Sequence, residues 1–402
     1  MEFWLRRLNE RHVMANARTV PEAFKGSIDE ATYAKSVQYT LAKSRFAQIE
    51  DAFGLVILSA VLLSGLLPWA FYGWSGWFGQ SVWAMAGFLF ATSIVLALPE
   101  LPLEWHAQFR LEERFGFNTN TQKLWWLDQI KKLLLALAIG YPLLVLILLL
   151  VEWTGRWWWL WAWGCLLIFE LVMIVLAPVF IMPLFNKFTP LPAGSLRERL
   201  LALASRTGFR AKDIQVMDGS KRSRHSNAFF SGFGRFRKIV LFDTLLQELA
   251  ESELESVLAH EIGHYKKGHI PKMLAGSAAL LFVGFFLLAQ LARQDWFYRA
   301  FGFSPDNLTP ALLLFGMLSG LVTFWFSPLL HYWSRRYEYQ ADAYAAQAMG
   351  EPGSLIGALR KLTEKNLSNL TPHRLFSRFY YSHPTLLERE QALSSTRVIP
   401  SQ

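Results

Sequence analysis

The sequence has little of three things: cysteine, charged side chains, and acidic residues to balance its basic ones. A single cysteine, Cys165, in 402 residues excludes a scaffold held together by disulfides. Charged residues make up 18% of the chain, against about 25% in soluble domains, which argues against an ordinary soluble enzyme. The 40 Lys and Arg exceed the 31 Asp and Glu, a balance that can indicate a nucleic-acid partner. However, 53% of the residues are hydrophobic, including 32 Phe and 17 Trp, which excludes disorder and favours a membrane.

Six long runs with almost no charge predict membrane-spanning helices. A helix needs about 20 mostly apolar residues to cross a bilayer, because its backbone polar groups must all be bonded within it. Five of the six runs contain no charged residue, and the fourth contains only Glu170. The predicted spans are 53–72, 81–99, 133–151, 157–182, 273–292 and 311–330.

The distribution of basic residues predicts the orientation of these spans. Segments 1–52, 100–132, 183–272 and 331–402 hold 37 of the 40 Lys and Arg, and the other connections hold the remaining three. Because basic loops stay in the cytoplasm, these four segments are expected on the cytoplasmic side. Residues 1–11 are too short and too charged to form a cleavable signal peptide.

The spans divide the chain into four parts. Residues 1–182 comprise an amphipathic N-terminal segment and the first four spans, and 273–330 form a two-span hairpin. The parts 183–272 and 331–402 are predicted to form a cytoplasmic catalytic region.

Short strands and two helices are expected within 183–272. The strands are predicted at 213–217, 227–231 and 238–242, and one helix at 195–206. A second helix is expected from Ser252, because Ser252 and Glu255 fit a capping box.

This second helix carries the sequence His260-Glu261-Ile262-Gly263-His264. Residues four apart on a helix are rotated by about 40°, so both imidazoles project from one face. Two neutral histidine nitrogens at this spacing suit Zn²⁺, and the adjacent Glu261 can reach a metal-bound water. The alternative is a solvated helix face with two satisfied histidines. Gly263 weakens the helix and would be unusual in a purely structural turn.

A catalytic zinc site needs a third protein ligand on the same side of the membrane. Two predicted spans follow the motif, so the chain has returned to that side at Glu338 and Asp342. At this i, i+4 spacing one carboxylate can bind the metal while the other accepts the free N–H of a ligand histidine. Spacing alone leaves open a charged helix face that pairs with Arg335 or Arg336. Histidines elsewhere near these motifs, at positions 225, 269 and 331, are expected to be packed or solvated.

Together these motifs resemble the Ste24-type CaaX prenyl proteases, integral-membrane zinc metallopeptidases of family M48. The resemblance covers most of the chain after about residue 20. It also rests on the segments ERFGFN (113–118), LFNKFTP (184–190), DGSKR (218–222), HSNA (225–228), VLFDT (240–244) and YSHPTLLER (381–389).

The resemblance implies one zinc ion per chain. His260, His264 and Glu338 are expected to bind it, and Glu261 is expected to act as the general base on the zinc-activated water. A metal ion lowers the pKa of its bound water toward about 7, so a carboxylate can accept the proton at neutral pH.

Further roles follow from the same resemblance. Asp342 is expected to orient a ligand histidine, His383 to stabilise the oxyanion, and Arg389 to act as a basic neighbour in that site. Asn227 and Ala228 are expected on an edge strand that pairs with the backbone of the substrate.

The fold implied is a predominantly α, polytopic membrane protein with a cytoplasmic gluzincin-type zinc peptidase region that contains a small β-sheet. Six spans are predicted here against seven in the family, whose first span would precede the region that matches 11–39. The long loop insertions of the eukaryotic members are missing. This favours a bacterial inner membrane with a cytoplasmic active site, or the ER membrane if the source is eukaryotic.

The implied function is hydrolysis of peptide bonds near the C-terminus of CaaX-type substrates, prenylated or not. The expected partners are a peptide or protein substrate, lipidated or not, and the bilayer, with no nucleic acid. One alternative is a membrane quality-control metalloprotease that degrades misfolded proteins. Another is a transporter or scaffold with an incidental zinc motif, but a transporter should show paired halves or several polar residues at mid-membrane depth.

Overall fold

The computed structural model describes residues 1–209, 213–231 and 238–395 as a mostly helical protein with one small sheet. Within these residues, five helices are long and apolar enough to cross a membrane. They are Glu30–Leu63, Val82–Phe115, Gln122–Phe185, His269–Leu291 and Thr309–Met349.

The count of five differs from the six spans predicted because two of them belong to one helical stretch. Spans 133–151 and 157–182 both lie in Gln122–Phe185. A straight helix of 64 residues would be about 96 Å long, roughly three times the thickness of the bilayer core. Gly155, with φ 52° and ψ −126°, interrupts the helical backbone, and the segments before and after it pack against each other. This stretch therefore provides two crossings as a hairpin.

The first predicted span, 53–72, is wrong as a continuous helix. The helix Glu30–Leu63 ends there, Gly65 takes up a left-handed conformation with φ 76°, and a new helix, Leu66–Phe78, begins. Hydropathy measures apolar character and does not register such a break in the backbone. The new helix has 13 residues, fewer than a bilayer crossing requires.

The sixth predicted span, 311–330, is part of a longer helix. The helix Thr309–Met349, here called the long helix, continues about five turns beyond residue 330. A short 3₁₀ turn at Phe324–Phe326 does not interrupt it. The sequence around Glu338 therefore lies on the continuation of a helix long and apolar enough to span a membrane.

Two connections predicted to lie on the non-cytoplasmic side are close together. Next to the 73–80 connection, the Tyr72 hydroxyl accepts a hydrogen bond of 2.8 Å from the backbone N–H of Ser304. Asn307 donates to Gln80 at 3.3 Å. The connections 73–80 and 293–310 thus occupy the same end of the helix bundle.

The sheet has four strands in the order β1-β2-β4-β3. They are β1 (Phe188–Pro190), β2 (Asp213–Met217), β3 (Ala228–Ser231) and β4 (Lys238–Phe242). β2 and β4 are parallel, whereas β1 and β3 pair antiparallel to their neighbours. The three predicted strands are confirmed, and β3 is an edge strand. β1 was missed because it is only three residues long and ends in proline.

The helix that carries the histidine motif is Glu251–Lys266, here called the motif helix. The predicted capping box at Ser252 is wrong by two residues. The carboxylate of Glu253 accepts the backbone N–H of Ala250 at 2.7 Å and so caps the first turn. Glu255 instead pairs with Arg199 at 2.8 Å, which fixes the motif helix to the predicted and confirmed helix Ser195–Arg206.

Gly263 allows the motif helix and the long helix to pack closely. A Cβ atom at Gly263 would lie 2.9 Å from the Cα atom of Ala341, closer than real Cβ contacts occur. This close approach is what brings the motif histidines against the carboxylates of the long helix.

The N-terminal helix Glu2–Ala15 connects the membrane region to the C-terminal segment. Arg6 pairs with Asp51 at 2.6 Å, and Asn9 accepts the backbone N–H of His373 at 2.9 Å. The other α-helices of the described residues after 183 and outside the candidate membrane spans include Asp243–Glu248, Gly353–Lys365, Arg374–Tyr380 and Leu386–Ser395.

Candidate functional site

Three potential metal ligands converge between the motif helix and the long helix. One ligand atom each from His260, His264 and Glu338 can be chosen so that all three lie within 4.8 Å of one another. The two Nε2 atoms are 3.1 Å apart. The Glu338 carboxylate lies 3.5 Å from Nε2 of His260 and 3.3 Å from Nε2 of His264. His260 and Glu338 are buried, with 7% and 4% of their surface exposed.

The second nitrogen of His260 is held by Asp342. Nδ1 of His260 lies 2.8 Å from Oδ1 of Asp342, and an ionised carboxylate can only accept, so Nδ1 carries the proton. Arg389 in turn donates two hydrogen bonds to the Asp342 carboxylate, at 2.8 Å and 2.5 Å. In neutral His260, Nε2 therefore carries no proton, and its lone pair is directed toward His264 and Glu338.

The second nitrogen of His264 is held by another histidine. Nδ1 of His264 lies 2.9 Å from Nδ1 of His269, and Nε2 of His269 lies 2.9 Å from Oε1 of Gln340. Because the amide oxygen accepts, His269 carries its proton on Nε2, and its Nδ1 accepts from His264. His269 has no exposed surface and stacks on Tyr337 with ring centroids 4.4 Å apart. Nε2 of neutral His264 thus also carries a lone pair and no proton.

This donor set fits a metal ion. Two nitrogen lone pairs and a carboxylate face one another, and Oε2 of Glu338 is buried without a hydrogen bond from any described residue. Burial by itself lowers the pKa of His260, but the hydrogen bond to Asp342 and the nearby Glu338 carboxylate outweigh it and raise that pKa to about 9. The site therefore attracts positive charge, and nitrogen and oxygen ligands in this number match the protein ligands of a catalytic zinc site.

Glu261 lies beside these ligands. Among the described residues no hydrogen bond to its side chain is found. Burial raises the pKa of Glu261, while His260 and His264 act in the opposite direction. A carboxylate with a raised pKa is a better proton acceptor than one in water.

His383 lies on the open side of the site. Its Nε2 atom is 3.4 Å from Oε1 of Glu338, and its side chain is 63% exposed. Its Nδ1 lies 2.9 Å from the Ser382 hydroxyl. The imidazole therefore stands beside the candidate ligands where an additional group can approach. Arg389, by contrast, is buried and faces Asp342 and Glu338, with its Nη1 3.7 Å from Oε2 of Glu338.

Asn227 and Ala228 lie at the start of the edge strand. β3 begins at Ala228, one residue later than predicted, and Asn227 uses its side-chain oxygen to accept the N–H of Ala228 at 2.8 Å. The backbone oxygen of Asn227 accepts from Phe242 at 3.1 Å. Among the described strands β3 pairs only with β4, so its other edge can accept an added strand.

The sequence did not reveal the part played by His269 and Gln340. His269 was expected to be packed or solvated, and it is packed, but it also contacts a candidate ligand. His269 is five residues after His264, beyond Gly268 with φ 65°, which lets the chain turn back after the motif helix. In the sequence, the only signal for this contact was the position of two polar residues near the ligands. His269 follows the motif, and Gln340 lies between Glu338 and Asp342.

Two family descriptions match consecutive parts of the chain. Residues 9–187 match the family described as "CAAX prenyl protease N-terminal, five membrane helices". Residues 190–397 match "Peptidase family M48".

Similar proteins span nearly the whole chain. CAAX prenyl protease 1 of Saccharomyces cerevisiae is 38% identical over 93% of this chain and 88% of its own length. The CAAX prenyl protease 1 homolog of Homo sapiens is 33% identical over 96% and 91%. The crystal structure of S. mikatae Ste24p superposes with a TM-score of 0.90 at 36% identity, covering 98% of this chain and 95% of that one. These relatives are eukaryotic, so the expectation of a bacterial source gains no support from them.

Proposed function

The chain belongs to peptidase family M48, and we propose that it is a zinc metalloendopeptidase that cleaves CAAX-type substrates near their C-terminus. Membership in a family of membrane-embedded metallopeptidases makes it a hydrolase of peptides or proteins. The transporter or scaffold alternative is thereby set aside. The metal's identity, the residue roles and the CAAX substrate are our proposals.

One observation carries the proposal: His260, His264 and Glu338 present three metal-binding atoms, and beside them lies the Glu261 carboxylate, to which no described residue donates a hydrogen bond. Asp342 and His269 hold the proton-bearing nitrogens away from the centre, so that both Nε2 lone pairs point inward. A zinc ion bound there would polarise the scissile carbonyl and acidify a water molecule.

Each protein group around the centre has a separate role in hydrolysis. Glu261 accepts a proton from the attacking water and passes it to the leaving amine. His383 donates a hydrogen bond to the oxygen that becomes negative as the carbonyl is attacked. Asp342 keeps the proton of His260 on Nδ1, and Arg389 fixes Asp342 through two hydrogen bonds.

The edge of β3 that pairs with no described strand suits an extended peptide. Main-chain groups beginning at Asn227 and Ala228 can pair with a substrate backbone, which gives affinity with little demand on sequence. This mode of binding brings the scissile bond of an extended segment, rather than of a helix, beside Glu261 and His383.

The active site is proposed to face the cytoplasm. Four segments hold 37 of the 40 basic residues, and they include both parts that contribute to the site, 183–272 and 331–402. We also propose the division of the chain into the four parts 1–182, 183–272, 273–330 and 331–402. A lipidated substrate could then reach the site from the cytoplasmic face of the membrane. The same geometry would hold in a bacterial inner membrane or in the ER.

The variant Glu261→Gln tests the mechanism. It removes the proton acceptor without altering the three ligands, so peptide cleavage should fall by at least about 100-fold while about one zinc per chain remains. Metal content is measured by elemental analysis and cleavage with a fluorogenic peptide. Glu198→Gln, an exposed carboxylate on the helix Ser195–Arg206, is the control and should retain full activity. Undiminished cleavage by Glu261→Gln would overturn the proposed role.

A second experiment separates CAAX processing from quality control. Purified protein is given farnesylated and unfarnesylated CAAX peptides and, separately, an unfolded membrane protein. Cleavage of the CAAX peptides at one bond near the C-terminus supports the proposal. Cleavage of the unfolded protein at many sites, with the CAAX peptides left intact, would favour the quality-control alternative.

A further inference from the structure

A cavity of about 630 Å³ adjoins the proposed catalytic site. His383, whose Nε2 is 3.4 Å from Glu338, forms part of its wall, so the cavity begins beside the candidate metal ligands. His225, two residues before Asn227, forms another part, so the cavity also reaches the start of the edge strand. Its volume lies in the range of pockets that hold a small ligand, about 300–1,000 Å³.

The direction of β3 indicates which end of a bound peptide enters this cavity. The strand runs from Ala228 to Ser231, and the cavity wall includes His225, which precedes its first residue. A peptide added antiparallel to β3, the commoner arrangement of paired strands, runs the opposite way. Its C-terminal end therefore points toward His225 and the cavity, and an extended residue advances about 3.3 Å.

The wall chemistry suits an aliphatic segment that ends in a negative charge. Apolar side chains form much of the wall, among them Phe24, Leu367, Leu370, Phe376 and Leu386. Lys43 and Arg6 also line it, whereas none of the described wall residues is Asp or Glu.

Of these two wall cations, Lys43 is the one that is paired with no carboxylate of a described residue. Arg6 is neutralised by Asp51 at 2.6 Å. No carboxylate oxygen of the described residues lies within 4.0 Å of the Lys43 ammonium, which lies 5.0 Å from the centroid of the Tyr39 ring. Glu112, which also feels the charge of Lys43, is already hydrogen-bonded by the Tyr39 hydroxyl at 2.7 Å.

We propose that this cavity binds the last residues of the substrate and that Lys43 binds their free α-carboxylate. The proposal rests on the proposed peptidase function and adds a specificity-determining residue to it. It explains how cleavage is directed to a chain terminus: an α-carboxylate exists only at the end of a chain, and a cation in a cavity whose described wall holds no Asp or Glu selects for it.

Two peptides that differ only at their C-terminus test this subsite. One CAAX-type peptide ends in a free carboxylate and the other in a carboxamide. The unmodified protein should cleave the acid with a kcat/KM about 10-fold higher. Lys43→Met should lower kcat/KM for the acid by about 10-fold and leave the amide unchanged, and Lys43→Arg should keep most of the preference. Lys35→Met, an exposed lysine on the same helix that does not line the cavity, is the matched control.

A binding measurement checks the subsite without catalysis. In the Glu261→Gln background, titration calorimetry with the free tripeptide Val-Ile-Ala should show tighter binding than with its carboxamide, and Lys43→Met should abolish the difference. Thermal unfolding and metal content of Lys43→Met verify that it is folded.

The possible results separate the two proposals. Equal cleavage of acid and amide by the unmodified protein would refute the carboxylate subsite and leave the peptidase proposal standing. An equal loss on both peptides in Lys43→Met would assign Lys43 a structural role instead. Cleavage of neither peptide by the unmodified protein would contradict the proposed function itself.

Discussion

The Nδ1 atoms of His264 and His269 lie 2.9 Å apart, deep between the motif helix and the start of the helix His269–Leu291. One of two such nitrogens must carry a proton and the other a lone pair. Gln340 determines that His264 carries the proton, because its amide oxygen accepts a hydrogen bond from Nε2 of His269 at 2.9 Å and so leaves the lone pair on Nδ1 of His269. The orientation of a proposed metal ligand thus depends on a chain of two hydrogen bonds that ends on the long helix.

Gln340→Leu should weaken metal binding by about 10-fold or more. The leucine removes the acceptor that holds the proton on Nε2 of His269, so His269 can protonate Nδ1 and compete with His264 for the same position. Loss of such supporting partners typically costs 10–100-fold in metal affinity. Chelator competition measures the affinity, and the visible spectrum of the Co²⁺-substituted protein reports the ligand geometry.

The control for this prediction is Gln347→Leu, an exposed glutamine on the same helix. It should bind metal like the unmodified protein. Equal metal affinity and an unchanged cobalt spectrum in Gln340→Leu would show that the hydrogen bond does not position His264.

Asp342→Asn should reduce both stability and metal affinity. Asp342 is 1% exposed and accepts from His260 and Arg389, so the change leaves the buried guanidinium without the carboxylate to which it is hydrogen-bonded. Removing one member of a buried pair typically costs about 3–5 kcal/mol. Chemical denaturation measures the free energy of unfolding, and chelator competition measures the affinity for zinc.

Adding Arg389→Leu to Asp342→Asn separates the two effects. With the unpaired cation gone, stability should largely return, since replacing both members of a buried pair is much less costly than removing one. Metal affinity should stay low, because His260 still lacks an anionic acceptor. Full recovery of metal affinity in the double variant would argue against an orienting role for Asp342.

Gly263→Ala should destabilise the contact between the motif helix and the long helix. A Cβ atom there would lie 2.9 Å from Cα and 3.0 Å from the backbone oxygen of Ala341, and backbone atoms cannot rotate aside. Overpacking of this kind typically costs about 1–3 kcal/mol, and it would also move the histidines away from Glu338. Thermal unfolding and zinc content are the measurements.

Gly276→Ala is the matched control, since a Cβ atom at this helical glycine meets no atom within 4 Å. It should be neutral or slightly stabilising, because alanine favours a helix by up to about 1 kcal/mol over glycine. A Gly263→Ala protein as stable as this control would mean that the two helices are not held at the observed separation.

The sequence predicted the features that have short-range patterns. The spacing of His260 and His264, the helix 195–206 and the strands at 213–217 and 238–242 depend on local periodicity, and the structure contains these elements as expected. The break at Gly65 was missed because the residues on both sides are equally apolar.

Features that depend on contacts distant in sequence could not be predicted. His269 and Gln340 are 71 residues apart, and neither belongs to a motif. Gly263 drew attention within the motif, but its partner, Ala341, lies on a helix from another part of the chain. Even the role expected for His383, which lies beside Glu338, came from family resemblance, because no spacing rule connects residues separated by two helices and the loops around them.

His383→Ala should lower kcat by about 100- to 1,000-fold with little change in KM. A donor aimed at a developing oxyanion is typically worth about 2.7–4 kcal/mol, and that interaction exists mainly in the transition state. The side chain is 63% exposed, so its removal should leave the free energy of unfolding nearly unchanged. Steady-state kinetics on a CAAX peptide and chemical denaturation are the measurements.

Metal content decides whether this loss is electrostatic or structural. His383 contacts Glu338 from outside the cluster of His260, His264 and Glu338, so His383→Ala should still bind about one zinc per chain with unchanged affinity. His12→Ala, an exposed histidine of the N-terminal helix, serves as the control and should keep full activity. If His383→Ala instead lost zinc in proportion to its activity, His383 would have to be reassigned as a support for Glu338, because a group that acts only on the oxyanion cannot change the affinity of the resting site for metal.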